Sequence, residues 1–83
     1  MSSSKAKLKR VEVAWLDAIT YMEHVPRAEA EKKPLASRST IGYLISADRD
    51  CVRLASTYDE SDDEFADITV IPRPWVKKVR SVR

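Results

Sequence analysis

Two prolines that lie two residues apart, Pro72 and Pro74, constrain the fold of this chain more than any other feature of its sequence. Proline has no backbone N–H group, so it cannot donate a hydrogen bond within a sheet, and a sheet must be interrupted here. The fixed φ of proline suits a short 3₁₀ turn. We therefore predict a 3₁₀ turn over residues 72–75, with one strand ending before it and a last strand beginning after it.

The chain upstream of this turn alternates between apolar and polar residues, which is the pattern of half-buried strands. Val11, Val13 and Trp15, for example, alternate with Glu12 and Ala14. The alternation and its interruptions predict five strands, at residues 9–17, 39–46, 51–57, 67–71 and 76–82. The last segment also carries valines three residues apart, so a helical hairpin is the alternative there.

The connections between these strands differ in length, and their order indicates the fold. A long excursion, residues 18–37, follows the first strand, and a short polar turn at 47–50 predicts an antiparallel hairpin between the second and third strands. Gly42, the one glycine of the chain, indicates a bulge or a close approach of a neighbouring group. We predict a mainly β fold, a five-stranded SH3-like small barrel. Residues 1–8 would form a disordered basic tail, and residues 9–83 a single SH3-like β domain.

The charged residues are unevenly distributed along the chain. Residues 1–10 carry a net charge of +4, residues 48–67 carry −6 and residues 68–83 carry +5, although the whole chain has only +2. Either the basic ends pair with the acidic middle, within the fold or between protomers, or they form a surface for an anionic partner. A domain of this size buries little surface, so a homo-oligomer is a further expectation.

The residues that usually carry chemistry are scarce, which predicts that the chain is not an enzyme. His24 is the one histidine, and it lies in the poorly patterned excursion. Cys51 is the one cysteine, so it can form neither an internal disulfide nor a paired zinc site. A calcium loop that started at Asp59 would need glycine at its sixth position and glutamate at its twelfth, where Glu64 and Val70 stand. We expect no metal and no cofactor.

The cysteine content and the lack of long apolar segments bear on the cellular compartment of the protein. The lone cysteine favours a reducing environment, and no stretch approaches the ~18 apolar residues that span a bilayer. The N-terminal ten residues are polar and basic and lack the apolar segment of a signal peptide. We therefore expect a cytoplasmic protein without a membrane partner.

The candidate site is a set of aromatic and basic side chains near the strand ends. Aromatic faces can stack on bases, and arginine or lysine can contact phosphate. The predicted ligand-binding residues are Arg38, Tyr43, Arg73, Trp75 and Lys77. The alternative is that Trp15 and Trp75 are core or rim residues with stabilising cations around them.

Several segments of the chain resemble a set of short proteins encoded by tailed bacteriophages. The matching segments are residues 13–17, 41–45, 50–55, 67–72 and 75–76, and together they extend over most of residues 11–79. The resemblance implies a small-barrel, non-enzymatic accessory protein that acts in the cytoplasm of the bacterial host. It would bind and inhibit a host factor and so counter antiviral defence, by blocking a host protein or by sequestering a nucleotide signal. The alternatives are an RNA- or DNA-binding barrel and a structural or assembly protein of the virion.

Overall fold

The computed structural model describes residues 8–82, so the predicted tail lies outside the described residues except for Leu8. Five strands form one sheet in the order β4-β3-β2-β1-β5, and every neighbouring pair is antiparallel. Their bounds are β1 Arg10–Asp17, β2 Ala36–Ala47, β3 Cys51–Asp59, β4 Glu64–Pro72 and β5 Val76–Val82. The mainly β prediction is confirmed. Within the described residues β4 and β5 are the two edges of the sheet and do not pair with each other.

The predicted 3₁₀ turn is confirmed at Arg73–Trp75, directly between β4 and β5. The backbone N–H of Arg73 donates to the carbonyl oxygen of Asp50 at 3.0 Å, which ties this turn to the polar turn between β2 and β3. The helical alternative for the last segment is wrong, because β5 pairs with β1 and places Val79 opposite Val13.

Two strands begin earlier than the alternation predicts. β2 starts at Ala36 and not at residue 39, because Ala36 pairs with Asp17 at the far end of β1. β4 starts at Glu64 and not at residue 67, because it continues the hairpin from Asp59 of β3. The β2 extension is mainly exposed and polar, whereas the β4 extension holds two apolar residues in a row, Phe65 and Ala66. Neither extension therefore shows the alternation that identifies a strand.

The core lies on one face of the sheet and is built from β1, β3 and β4. Its buried residues are Val11 and Val13 from β1, Val52 and Leu54 from β3, and Ile71 from β4; Trp15, Leu44 and Val76 are partly buried against them. Cys51, at the start of β3, is also buried, as the sequence predicts for a small hydrophobic residue. The core is small for a chain of this length, which leaves little reserve of stability.

At Gly42, β2 lies close to the backbone of β3. A Cβ atom added there would lie 2.6 Å from the carbonyl oxygen of Ala55 and 3.3 Å from Cδ1 of Leu54. The predicted close approach of a neighbouring backbone at this glycine is therefore confirmed.

The opposite face of the sheet carries a polar cluster centred on Glu12. Ser39 Oγ donates to Glu12 Oε2 at 2.6 Å, and Arg80 Nε donates to Glu12 Oε1. Glu12 thus links its own strand, β1, to β2 and β5. The hydrogen bond from Ser39, followed by that from Arg80, holds the pKa of Glu12 below its ordinary value.

This lowered pKa predicts a pH-dependent contribution to stability. The contribution is fully present above the pKa of an unfolded glutamate, about 4.3, and is lost as the pH falls through the lower pKa of the folded state. We expect Glu12→Gln to destabilise the protein at pH 7, and the difference from wild type to shrink steadily below pH 4. Urea unfolding of both proteins from pH 7 to pH 3 measures this. A difference that stays constant over that range would contradict the prediction.

The excursion between β1 and β2 is ordered largely by contacts within itself. It contains a four-residue helix, α1, at Arg27–Ala30. Tyr21 donates its hydroxyl hydrogen to the carbonyl oxygen of Pro34 at 2.9 Å, and Lys33 Nζ lies 5.0 Å from the centre of the Tyr21 ring. In the part of the chain that the structure describes, no helix has the length and apolar character needed to cross a bilayer.

Candidate binding site

A pair of stacked tryptophans organises the end of the sheet where the 3₁₀ turn lies. The rings of Trp15 and Trp75 are 6.4 Å apart between centroids, with planes inclined by 15°. The indole N–H of Trp15 donates to Thr40 Oγ1 at 3.0 Å, which fixes that ring against β2. Trp75 keeps 39% of its surface exposed, so the pair has one anchored member and one accessible member.

A β-bulge brings the two rings together. The pairing of β1 with β5 shifts between Ala14 and Trp15, so that Trp15 faces Val76 and Lys77 is the extra residue on β5. This shift places the end of the 3₁₀ turn beside Trp15. Bulges of this kind redirect side chains near the end of a ladder.

A shallow apolar pocket opens beside Trp75, between the base of the long excursion and the 3₁₀ turn. Its volume is about 190 Å³. Five apolar residues and one carboxylate line it, and these are Leu16, Asp17, Ala18, Leu35, Pro74 and Trp75. Leu35 is an exposed part of this wall, with 57% of its surface open to solvent.

The carboxylate of the pocket is already paired. Arg38 Nε donates to Asp17 Oδ2 at 3.0 Å across the β1–β2 ladder. This contact neutralises the one acidic group among the lining residues, and it also engages the charge of Arg38. Ion pairs of exposed side chains contribute little to stability, so we interpret this one as orienting the rim of the pocket.

The structure brings some of the predicted ligand-binding residues together and separates others. Trp75 lines the pocket and Arg38 contacts Asp17 on its rim. Arg73 belongs to the same 3₁₀ turn and is exposed, and Lys77 is the exposed bulge residue of β5.

Tyr43 lies in a different cluster. It lies five positions after Arg38 in the regularly paired part of β2, a distance of roughly 17 Å along a strand. The odd spacing puts the two side chains on opposite faces of the sheet. The Tyr43 ring contacts Tyr58, whose ring contacts Phe65. Tyr58 donates to Asp63 Oδ1 at 2.9 Å, and this hydrogen bond raises the pKa of Tyr58.

Sequence reasoning missed most of the pocket wall. Leu16, Ala18 and Leu35 meet because Asp17 pairs with Ala36, so the two ends of the excursion lie side by side. One feature of the sequence could have pointed to Leu35 as part of the wall, because it is an apolar residue directly after Pro34 at the end of a long loop. Its partner across the loop could not be identified before the register of β1 and β2 was known.

Other chemically active groups lie away from this pocket. Among residues 8–82, no group of three His, Cys, Asp or Glu side chains is placed to hold a metal ion. His24 is exposed in the excursion, and the thiol-bearing residue Cys51 is buried.

Comparisons of the chain with models of protein families, with curated proteins and with solved structures give no match.

Proposed function

We propose that this chain is a non-enzymatic binding protein that accepts one apolar side chain of a protein partner in the pocket beside Trp75. The observation that carries the proposal is the apolar wall formed by Leu16, Leu35 and Trp75 where the excursion meets the 3₁₀ turn. Exposed aromatic and aliphatic residues in a concave site are the usual anchors of protein recognition.

The size and charge of the pocket favour a side chain over a nucleotide. A volume of about 190 Å³ is below the ~300–1,000 Å³ of clefts that enclose small ligands. A phosphate group would need free cations beside the stacking ring, and Arg38 is bonded to Asp17, which leaves Arg73 and Lys77 for that role. The second predicted stacking residue, Tyr43, lies in the separate cluster with Tyr58. Sequestration of a nucleotide signal therefore has less support than the blocking of a protein.

The biological setting of this proposal comes from the sequence resemblance to short proteins of tailed bacteriophages. In that setting the partner would be a host protein, the compartment would be the bacterial cytoplasm, and the binding would inhibit the host factor. The long loop after the first strand and the 3₁₀ turn before the last support the finer assignment to SH3-like small barrels. We propose that assignment together with the function.

Peptide selection followed by affinity measurement tests the proposal. We expect a random peptide library to yield binders that share one large apolar residue at a fixed position. Leu35→Glu should weaken them at least about tenfold, or ~1.4 kcal/mol, because it places a charge in the wall that the apolar residue covers. Met22→Glu is the matched control, because Met22 is 84% exposed in the same excursion but does not line the pocket. Its affinity should stay within about twofold of wild type, ~0.4 kcal/mol.

Two results would contradict the proposal. One is a set of peptides that bind Leu35→Glu as tightly as wild type. The other is a large thermal stabilisation by cyclic dinucleotides or related signals in a nucleotide panel, with no peptide binder recovered, which would favour nucleotide capture.

A further inference from the structure

The sheet has two free edges. β4 pairs with β3 on one side and β5 pairs with β1 on one side, and within residues 8–82 no strand pairs with the other side of either. An edge strand presents a row of unpaired backbone N–H and C=O groups, which is a template for pairing with another chain.

The two edges carry opposite charges. Residues 59–72, which include β4 and the turn before it, contain six acidic and no basic residues. Residues 73–82, which include β5, contain four basic and no acidic residues, namely Arg73, Lys77, Lys78 and Arg80. Each edge therefore repels a second copy of itself and attracts the other edge.

Within residues 8–82, four of these acidic residues form no ion pair with the basic residues of β5. Arg80 is bonded to Glu12 on the neighbouring strand, and Asp67 and Asp63 accept hydrogen bonds from Ser56 and Tyr58. Among residues 8–82, none of Asp62, Asp63, Glu64 and Asp67 forms an ion pair with β5. The carboxylates of Asp62 and Glu64 and the ammonium groups of Lys77 and Lys78 thus form no ion pair within the described residues and can attract a neighbouring molecule.

Both edges also expose apolar side chains. Ile68 and Val70 of β4 are 53% and 55% exposed, and Val79 of β5 is 41% exposed. These residues could be covered by a paired strand with its own apolar residues. Small domains with limited cores commonly gain buried area by assembling.

We propose that β4 of one copy pairs with β5 of the next, so that the protein assembles head to tail through its oppositely charged edges. The occupant of each edge is a second copy of this chain, because that copy presents the complementary charge on a strand with unpaired backbone groups. Such a heterologous contact gives a closed ring if its rotation closes and an open filament if it does not. The proposal is independent of the pocket beside Trp75.

Light scattering on nuclease-treated full-length protein tests the assembly. At low salt we expect the mass to be a multiple of the mass of one chain. For a ring, this mass should rise with protein concentration to a plateau. At about 1 M salt, where charges are screened beyond roughly 3 Å, the mass should fall towards that of one chain. A monomer at every salt and protein concentration would overturn the proposal, as would an assembly that disappears on nuclease treatment.

A charge exchange between the edges tests the pairing itself. Lys77→Glu with Lys78→Glu changes the charge of β5 from +3 to −1, so that both edge strands are acidic. Glu64→Lys with Asp67→Asn changes the charge of β4 from −2 to +1, so that both edge strands are basic. Asparagine suits position 67 because Asp67 has a φ of 57°, a left-handed conformation that asparagine tolerates. We expect each double variant alone to be monomeric and an equimolar mixture of the two to assemble again.

Three outcomes of this exchange decide against the proposal: either variant assembling as wild type does, both remaining assembled at high salt, or a mixture of folded variants staying monomeric. Circular dichroism establishes that each variant is folded. If either variant is unfolded, hydrogen exchange of the backbone amides of the wild-type protein is measured instead. Concentration-dependent protection of amides in both β4 and β5 supports edge pairing, and its absence from either strand excludes it.

Discussion

Replacing Gly42 by alanine should lower the free energy of unfolding by about 3 kcal/mol, the upper part of the range for overpacking a core. The added Cβ would lie 2.6 Å from the carbonyl oxygen of Ala55, so the β2 and β3 backbones must move apart. Because the core is small, a loss of this size is a large part of the total stability. Urea unfolding monitored by tryptophan fluorescence measures the effect.

Ser37→Ala is the matched control for Gly42→Ala, since Ser37 is an exposed residue of the same strand. We expect its stability to lie within about 0.5 kcal/mol of wild type. If Gly42→Ala were as stable as this control, β2 and β3 would not approach each other as closely as the structure has them.

Leu54→Ala should be the most damaging truncation, with a loss of about 2–5 kcal/mol. Leu54 is 1% exposed in β3, and it packs in the cluster that includes Val13 and Ile71. Removing its side chain loses apolar burial and leaves a cavity that the neighbouring strands cannot fill without moving. Chemical denaturation is the appropriate measurement, because thermal unfolding of an assembling protein depends on concentration.

Leu35→Ala makes the same chemical change on the surface and serves as its control. Leu35 is 57% exposed in the wall of the pocket, so its truncation should change stability by less than about 0.5 kcal/mol. It should nevertheless weaken peptide binding. Equal losses of stability in the two variants would mean that Leu54 is not in the core. Unchanged peptide affinity in Leu35→Ala would argue against Leu35 as a contact.

The elements that could be predicted from the sequence are those whose residues alternate between core and solvent. β1 and β3 have buried residues at every second position over part of their length, and their positions followed from that pattern. The 3₁₀ turn followed from Pro72 and Pro74, because proline restricts the backbone wherever it stands. The first three residues of β2 and of β4 escaped prediction, because backbone pairing and not apolar burial makes them strands.

The candidate site could be predicted only in part, for a related reason. Trp75 and Arg38 stood out by residue type, and the fold brings both to one end of the sheet. Tyr43 stood out equally, yet the pleat of β2 turns it to the other face from Arg38. The apolar wall depends on the register between β1 and β2, which alternation alone cannot specify when the loop between them is long.

The free edges were likewise beyond the reach of the sequence. The charge pattern left open whether the acidic middle and the basic end pair within one chain or between chains. The strand order shows that β4 and β5 do not pair with each other within residues 8–82, because three other strands lie between them. Pairing between chains is the proposal that follows from it.

The most direct test of binding beside Trp75 is a titration of ¹⁵N-labelled protein with a selected peptide, followed through the indole N–H signals of its two tryptophans. We expect a large shift of the Trp75 signal, together with the backbone amides of Leu16 and Leu35, because these residues line the pocket. The Trp15 signal should move less, since its N–H is held by Thr40. An unmoved Trp75 signal at saturation, with shifts confined to the cluster of Tyr43, Tyr58 and Phe65 or to the sheet edges, would contradict the proposed site.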